Sequence, residues 1–202
     1  MIAIIDYDAG NLKSVEKALK YLGEEAVITR EKELIMTADK VILPGVGAFG
    51  DAMEKLNNYH LVDVVKEVAS SGKPLLGICL GLQLLFESSE ECKGIQGLSI
   101  LRGEIVRIPD HKDLKIPHIG WNSLSIKEGA KLYDGVPQNS YVYFVHSYYL
   151  RAGNESEVAA TTHYSTTIHA SVEKDNIFAC QFHPEKSGDV GLKILRNFAK
   201  LS

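Results

Sequence analysis

In the first half of the chain, short apolar runs alternate with stretches of helical spacing. Ile2 to Ile5 is an apolar run and predicts the first strand. Leu12, Val15, Leu19 and Leu22 then fall on one stripe of a helix, with Asn11 at its N-cap and Gly23 closing it. Ala26 to Thr29 predicts a second strand. Residues 30–39 are charged and fit neither pattern. Val41-Ile42-Leu43 predicts a third strand, stopped by Pro44. Helical patterning returns from Asp51 to Leu56 and from Leu61 to Ala69. Pro74 to Ile78, behind the Gly72/Pro74 break, predicts a buried strand, after which Leu82, Leu84, Leu85 and Phe86 resume helical spacing. Strands and helices in alternation are the pattern of a parallel sheet with helices on its faces.

The second half changes rhythm. Leu98 to Ile108, Asn122 to Ile126, Tyr141 to Leu150, Val158 to Thr162, Ile168 to Glu173 and Ile177 to Phe182 all predict strands. Lys174-Asp175-Asn176 reads as a hairpin turn between the last two. Residues 109–121 are the least regular stretch and hold Pro109, Pro117, Gly120 and the only tryptophan, Trp121. Gly191, Ile194, Leu195 and Phe198 share one face of a closing helix. The expected fold class is therefore α/β: an open, mostly parallel central sheet with helices on both faces and added antiparallel strands in the C-terminal half. No linker composition marks a boundary near residue 95, so residues 1–202 read as a single domain.

Composition narrows the function classes. The chain has 202 residues, 45% hydrophobic and 24% charged, with a net charge of −4; this is the make-up of a globular protein with one sizeable core. No basic run or stripe is present, which argues against nucleic acid and anionic membranes as partners. The apolar N-terminus meets Asp6 at once and lacks a basic flank, so it reads as a strand and not as a signal peptide. No apolar run approaches membrane-spanning length. Three cysteines without a C-x-x-C pair fit a reducing compartment, hence a cytoplasmic setting, and neither a disulfide framework nor a zinc cluster.

One of those cysteines stands where strand periodicity gives way to helix periodicity. Gly77-Ile78-Cys79-Leu80-Gly81 has the spacing of a nucleophile elbow, with Cys in the place of Ser. The turn would hold the sulfur at a helix N-terminus, where N–H groups and the dipole favour thiolate. A buried structural cysteine between two glycines is the alternative.

A reactive cysteine needs a base, and the base needs an orienting group. Of seven histidines, only His183 follows a strong strand and has a carboxylate at a useful spacing, in His183-Pro184-Glu185. If that strand lies parallel to the elbow strand, His183 and Cys79 share one sheet edge. Pro44-Gly45-Val46-Gly47 follows the third strand and belongs on the same edge. Its backbone N–H groups, with that of Leu80, would make an oxyanion hole; an ordinary glycine-rich turn is the other reading. The Gly45–Val46 peptide is a candidate for flipping between two states, one of which presents the Val46 N–H to the oxyanion.

G-x-C-x-G-x-Q followed far downstream by H-P-E resembles the class I (triad) glutamine amidotransferases, over nearly the whole chain. Within that class, the nearer resemblance is to glutaminase subunits of imidazole glycerol phosphate synthase. It rests on Asp6-Tyr7-Asp8-Ala9-Gly10-Asn11-Leu12, Pro44-Gly45-Val46-Gly47-Ala48-Phe49, Pro117-His118-Ile119-Gly120-Trp121-Asn122, Tyr143-Phe144-Val145-His146-Ser147-Tyr148 and His183-Pro184-Glu185-Lys186-Ser187.

The resemblance implies a Cys79–His183–Glu185 triad that hydrolyses glutamine through a γ-glutamyl thioester. It implies ammonia transfer to a (β/α)8-barrel cyclase partner in a heterodimer, for histidine synthesis. It implies no cofactor and no metal. Gly45, Gly47, Gln83, Glu91, Ser147 and Tyr148 would hold the glutamine. Asn11, Trp121, Tyr143 and Lys186 match partner-facing positions. Plainer readings stand beside these: Gln83 as an ordinary helix polar residue, Glu91 as part of a solvated charge run, Trp121 and Tyr143 as core packing. His118 and His146 read as packing or interface residues, and Cys92 and Cys180 as small hydrophobes. The rival functions are a triad amidotransferase serving anthranilate or pyridoxal phosphate synthesis, a stand-alone cysteine hydrolase, and a docking module without catalysis.

Overall fold

The computed structural model describes residues 1–202. The strands are β1 (Ile2–Ile5), β2 (Ala26–Thr29), β3 (Lys40–Gly45), β4 (Leu75–Cys79), β5 (Ser88–Ser89), β6 (Gly103–Arg107) and β7 (His118–Ser123). They continue with β8 (Ser125–Ile126), β9 (Tyr141–His146), β10 (Tyr148–Ala152), β11 (Val158–Tyr164), β12 (Thr166–Lys174) and β13 (Ile177–Cys180). The helices are α1 (Leu12–Tyr21), α2 (Lys32–Thr37), α3 (Phe49–Asn58), α4 (Leu61–Ser70), α5 (Leu80–Leu84) and α6 (Gly188–Lys200). The large sheet runs β2-β1-β3-β4-β13-β12-β10-β6-β5, with β11 on β12 and β8 on β11. From β2 to β13 every pairing is parallel; beyond β13 the pairings turn antiparallel until β6 meets β5.

β1, β4 and β13 are buried along their whole length because helices cover both faces of the parallel strands. Strand alternation divides their side chains between two cores. Ala3, Ile5, Val41, Leu43, Leu75 and Ala179 pack with the apolar stripes of α3 and α4. Ile2, Ile4, Ile42, Leu76, Ile78 and Phe178 pack with Val15 and Leu19 of α1 and with Ile194, Leu195 and Phe198 of α6. Each such fully buried large side chain contributes about 1.5–3 kcal/mol relative to exposure. Gly23, at φ +83, ends α1, and Glu24 N–H reaches back to the Leu19 carbonyl at 3.0 Å. Asn11 stands at the N-cap, but its side chain caps no backbone N–H; its Oδ1 accepts from Ser14 Oγ at 2.8 Å.

The structure corrects four expectations. Tyr141 to Leu150 is two strands in two sheets, since β9 pairs with β7 alone and β10 pairs with β6 and β12. Leu98 to Ile108 is a strand only from Gly103; Leu98, Ile100 and Leu101 instead donate to the Leu84 and Leu85 carbonyls and finish the end of α5. Asn122 to Ile126 is broken at buried Leu124, and its first part belongs to a strand that begins at His118, inside the stretch taken as irregular. The ambiguous residues 30–39 contain the short helix α2.

The β7–β9 ribbon has two unlike faces. His118, Val142, Phe144 and His146 point into the protein, while Ile119, Trp121 and Tyr141 are 59%, 54% and 59% exposed. Behind it, the elbow is set by close backbone contact. A Cβ on Gly81 would lie 1.8 Å from the Leu43 carbonyl oxygen, and one on Gly77 would lie 2.8 Å from the Gly81 oxygen. No rotamer relieves a clash with backbone. Overpacking of this kind costs about 1–3 kcal/mol or more. Gly81→Ala is therefore expected to lower the melting temperature by roughly 6–12 °C, the shift for about 3 kcal/mol in a chain of this size. A melting temperature equal to the parent's would show that α5 can move away from β3.

Candidate active site

Cys79 ends β4 and precedes α5 at φ 56 and ψ −111, a backbone conformation that costs energy in any residue with a side chain. The sulfur-bearing residue is 7% exposed. Parallel register carries the neighbouring groups to the same edge. Gly45 of β3 pairs with Cys79 on one side, and Cys180 of β13 pairs with Ile78 on the other. The chain beyond Cys180 therefore runs past Cys79, and His183 and Cys79 share an edge.

Pro184–Lys186 form a single 3₁₀ turn that folds Glu185 back onto His183. His183 Nδ1–H donates to Glu185 Oε1 at 2.8 Å, with both side chains buried. That bond fixes the tautomer and leaves Nε2 for chemistry. Burial works against the imidazolium, but the Cys79 sulfur and then Glu185 outweigh it and push the His183 pKa up to about 9. Nε2 has no other hydrogen-bond partner and faces the sulfur, whose hydrogen bonding and charge both favour the imidazolium. The turn is anchored to the ribbon: His183 N–H donates to the Tyr143 carbonyl at 3.0 Å, and Tyr143 N–H donates to Ser187 Oγ at 3.0 Å.

A cleft of about 410 Å³ opens over Cys79 and His183. Val46, Gly47 and Leu80 line it beside the sulfur; Gln83 and Glu91 line its wall; Ser147, Tyr148 and Lys186 complete it, with Pro117, Val145 and His146. Gly45 is not among the residues that line the cleft. A Cβ there would meet Tyr7 Oη at 2.4 Å and Leu80 Cβ at 2.9 Å, so Gly45 is needed for space. The left-handed glycine of this loop is Gly47, at φ +97.

Glu91 does more than solvate a charge run: its Oε2 accepts from Phe49 N–H at 2.8 Å and holds the start of α3. Gln83 is buried, and its amide donates to the Tyr148 carbonyl at 3.2 Å. Trp121 meets Tyr143 edge-on, at 6.1 Å between ring centroids, on the outer face of the ribbon, which removes the core-packing reading for Trp121. Lys186 is exposed at the cleft, and Asn11 is half-buried at the start of α1. Glu185 lies behind His183 and outside the cleft lining.

Three sets of contacts go beyond the sequence reading. Tyr7 Oη, fully buried, donates to the Pro44 carbonyl at 2.8 Å and fixes the base of the Gly45–Gly47 loop. Burial and the nearby Cys79 push its pKa well up, so the phenol stays a neutral donor. Gln181, 0% exposed, sits between Cys79 and Gln83. His118 and His146 form a buried pair with Nδ1 and Nε2 3.1 Å apart. Burial pushes their pKa values down, to about 4 and about 3, so both are neutral at neutral pH. His146 Nδ1–H then donates to the Tyr148 carbonyl at 2.8 Å, which orients the whole pair and steadies one wall of the cleft. The contacts themselves emerge only in space, since each joins residues far apart in the chain.

Comparison with known proteins adds to this geometry. A family model described as glutamine amidotransferase class-I matches residues 3–201. The imidazole glycerol phosphate synthase subunit HisH of Bacillus cereus (strain G9842) is 54% identical over 198 residues, covering 98% of this chain and 93% of that one. The subunit of the same name from Caldanaerobacter subterraneus subsp. tengcongensis is 51% identical over 201 residues, covering 100% and 98%. Among solved structures, a glutamine amidotransferase has a TM-score of 0.75 at 22% identity, covering 98% of this chain and 100% of the other. PurLQS from Thermotoga maritima has a TM-score of 0.74 at 18% identity, covering 98% and 96%. The open, mostly parallel sheet with its added antiparallel strands is thus a fold shared with glutamine amidotransferases.

The charge pairing of His183 is open to direct test. Its side-chain nitrogens, followed by NMR, are expected to titrate with a midpoint of about 9. Because this lies above the ordinary value of 6.5, the pairing contributes its full stability below pH 6.5 and loses it as pH rises through about 9. Cys79→Ala removes the larger attraction and should bring the midpoint down. A midpoint unmoved in that variant would assign the whole effect to Glu185.

Proposed function

Because the chain belongs to the class-I glutamine amidotransferase family, we propose that its cleft hydrolyses glutamine for a synthase making imidazole glycerol phosphate. The carrying observation is the strained Cys79 at the sheet edge, with the His183–Glu185 pair bonded at 2.8 Å in the same cleft. Cys79 Sγ attacks the side-chain amide carbon of glutamine. The carbonyl oxygen becomes an oxyanion between the N–H groups of Val46 and Leu80. The imidazolium of His183 gives its Nε2 proton to the leaving nitrogen, the C–N bond breaks, and ammonia departs from a γ-glutamyl thioester. Water then attacks the thioester and gives a proton to Nε2; the C–S bond breaks and glutamate leaves. Glu185 holds the tautomer throughout and offsets the imidazolium charge. Gln83, Glu91, Ser147 and Tyr148 grip the amino-acid end of the substrate.

The relatives' name as synthase subunits makes a second subunit part of the same reading. We take the partner to be a (β/α)8-barrel cyclase bound across the outer ribbon face. Ile119, Trp121 and Tyr141 expose apolar surface there and Tyr143 adjoins it; Lys186 and Asn11 are assigned to the same docking surface as part of this proposal. Residues 1–202 act as one domain in the cytoplasm; no helix is long and apolar enough to cross a membrane.

The oxyanion loop is suited to gating by that partner. Its ends are fixed, with Pro44 held by Tyr7 and Phe49 held by Glu91, while Val46 between them is 42% exposed. Rotation of the Gly45–Val46 peptide would give or withdraw one oxyanion donor.

Two outcomes are expected. Cys79→Ala should release no labelled ammonia from amide-labelled glutamine, yet support synthesis by the partner from free ammonium at close to the parent rate. Glutamine turnover by that variant would remove Cys79 from the nucleophile's role. Adding the cyclase and its ligand to the parent chain should raise turnover roughly a hundred- to thousandfold, the worth of one oxyanion donor. Equal rates for the chain alone, with cyclase and with cyclase plus ligand would mean a preformed oxyanion hole.

A further inference from the structure

The buried amide of Gln181 has its orientation imposed by its neighbours. The Tyr148 carbonyl can only accept, so the Gln83 amide must present Nε2 to it, at 3.2 Å. The same Nε2 donates its other proton to Gln181 Oε1, at 3.0 Å. That contact fixes the oxygen end of Gln181, and its Nε2 end is left facing Cys79 Sγ at 3.7 Å. The placement comes from the sheet. β13 is parallel to β4 with Cys180 level with Ile78, so the next residue of one strand comes abreast of the next residue of the other. Gln181 is held at that level by its own N–H, which donates to the Ala170 carbonyl at 2.8 Å. A side chain with 0% exposure cannot leave the sulfur for solvent.

We propose that Gln181 is a further catalytic residue: its Nε2–H donates to the Cys79 sulfur and stabilises the thiolate. The inference rests on the glutaminase reading for its role in turnover, but not for the interaction itself. The donor acts where sulfur carries charge. It favours thiolate in the resting chain. It acts again when water opens the thioester: the C–O bond forms, the water proton passes to His183 Nε2, the C–S bond breaks, and its electron pair returns to a sulfur already facing an N–H. In the thioester the sulfur is neutral and the contact is weak, so the donor distinguishes the charged states from the acylated one.

Gln181→Glu and Gln181→Met are read together, because a carboxylate repels the thiolate by its own charge whereas Met removes the donor without adding a charge. The Gln181→Glu carboxylate keeps an acceptor for Gln83 and nearly the same volume, but offers the sulfur no amide donor. Gln181→Met removes both contacts. The first readout is the pH profile of Cys79 alkylation by iodoacetamide in the chain alone, which needs neither glutamine nor partner. Both variants should move its midpoint up by about one to two pH units, the worth of a hydrogen bond to a charged group. In the complex, kcat for glutamine should fall roughly ten- to hundredfold in Gln181→Glu, with KM little changed. A Gln181→Met alkylation profile that matches the parent, or a Gln181→Glu loss confined to KM, would overturn the proposal and leave Gln181 as a support for Gln83. The parent chain gives a check without mutation. The Gln181 side-chain N–H resonance should shift with the same pH midpoint as alkylation and stop shifting in Cys79→Ala; a resonance indifferent to Cys79 would overturn it equally. If the parent releases no labelled ammonia while these profiles shift as expected, the glutaminase reading fails and the sulfur contact stands.

Discussion

The packing of α5 against β3, with the Gly81 Cα pressed on the Leu43 carbonyl, is the constraint on which the rest of the site depends. It forces the chain from strand to helix within one residue and places Cys79 in a conformation it would not choose alone. Strain of this kind costs on the order of 1–3 kcal/mol and persists only where the surroundings over-determine it. Here they are the fully buried parallel strands on either side. β3 leads into the Gly45–Gly47 loop, β4 ends on Cys79, and β13 leads into the segment that carries Gln181 and His183. Three adjacent strand ends thus deliver Cys79 and the groups around it, and no long loop has to be ordered to assemble them.

The same economy links the site to the outer surface. His183 and Ser187 are bonded to Tyr143, whose strand carries the exposed aromatic face. Behind that face, the neutral His118–His146 pair supports the Tyr148 carbonyl, which in turn orients Gln83. A subunit docked on the ribbon would therefore press on elements one hydrogen bond removed from the base and from the substrate wall. The electrostatics agree with this division. The imidazole beside Cys79 is held toward its charged form by sulfur and carboxylate, and the His118–His146 pair is held neutral by burial.

Much of this was legible in the sequence because it depends on local pattern. β1, α1, β3, β4 and α6 follow from apolar runs and one-faced stripes, and Cys79 from glycines spaced to a turn. The parallel run of β13 beside β4 was needed before His183 and Cys79 could be joined, and the register supplies it. What stayed hidden depends on pairing. Val142, Phe144, His146 and Leu150 keep one even-numbered apolar rhythm across Ser147, so nothing in the period marks the change of sheet. Gln181 and Tyr7 act through partners far away in sequence, and a lone Gln or Tyr in a strand carries no pattern. The need for glycine at position 45 likewise comes from Tyr7 and Leu80, which fill the space where a Cβ would lie.

The most direct measurement of the central claim is the identity of the covalent intermediate. The chain, with cyclase partner and its ligand, would be mixed with glutamine, quenched in acid within the first turnovers, digested, and analysed by mass spectrometry. The account predicts one glutamyl group on the peptide that contains Cys79, none on those containing Cys92 or Cys180, and loss of the adduct once glutamine is exhausted. Ammonia release with an unmodified Cys79 peptide throughout, or a glutamyl adduct on another residue, would contradict it.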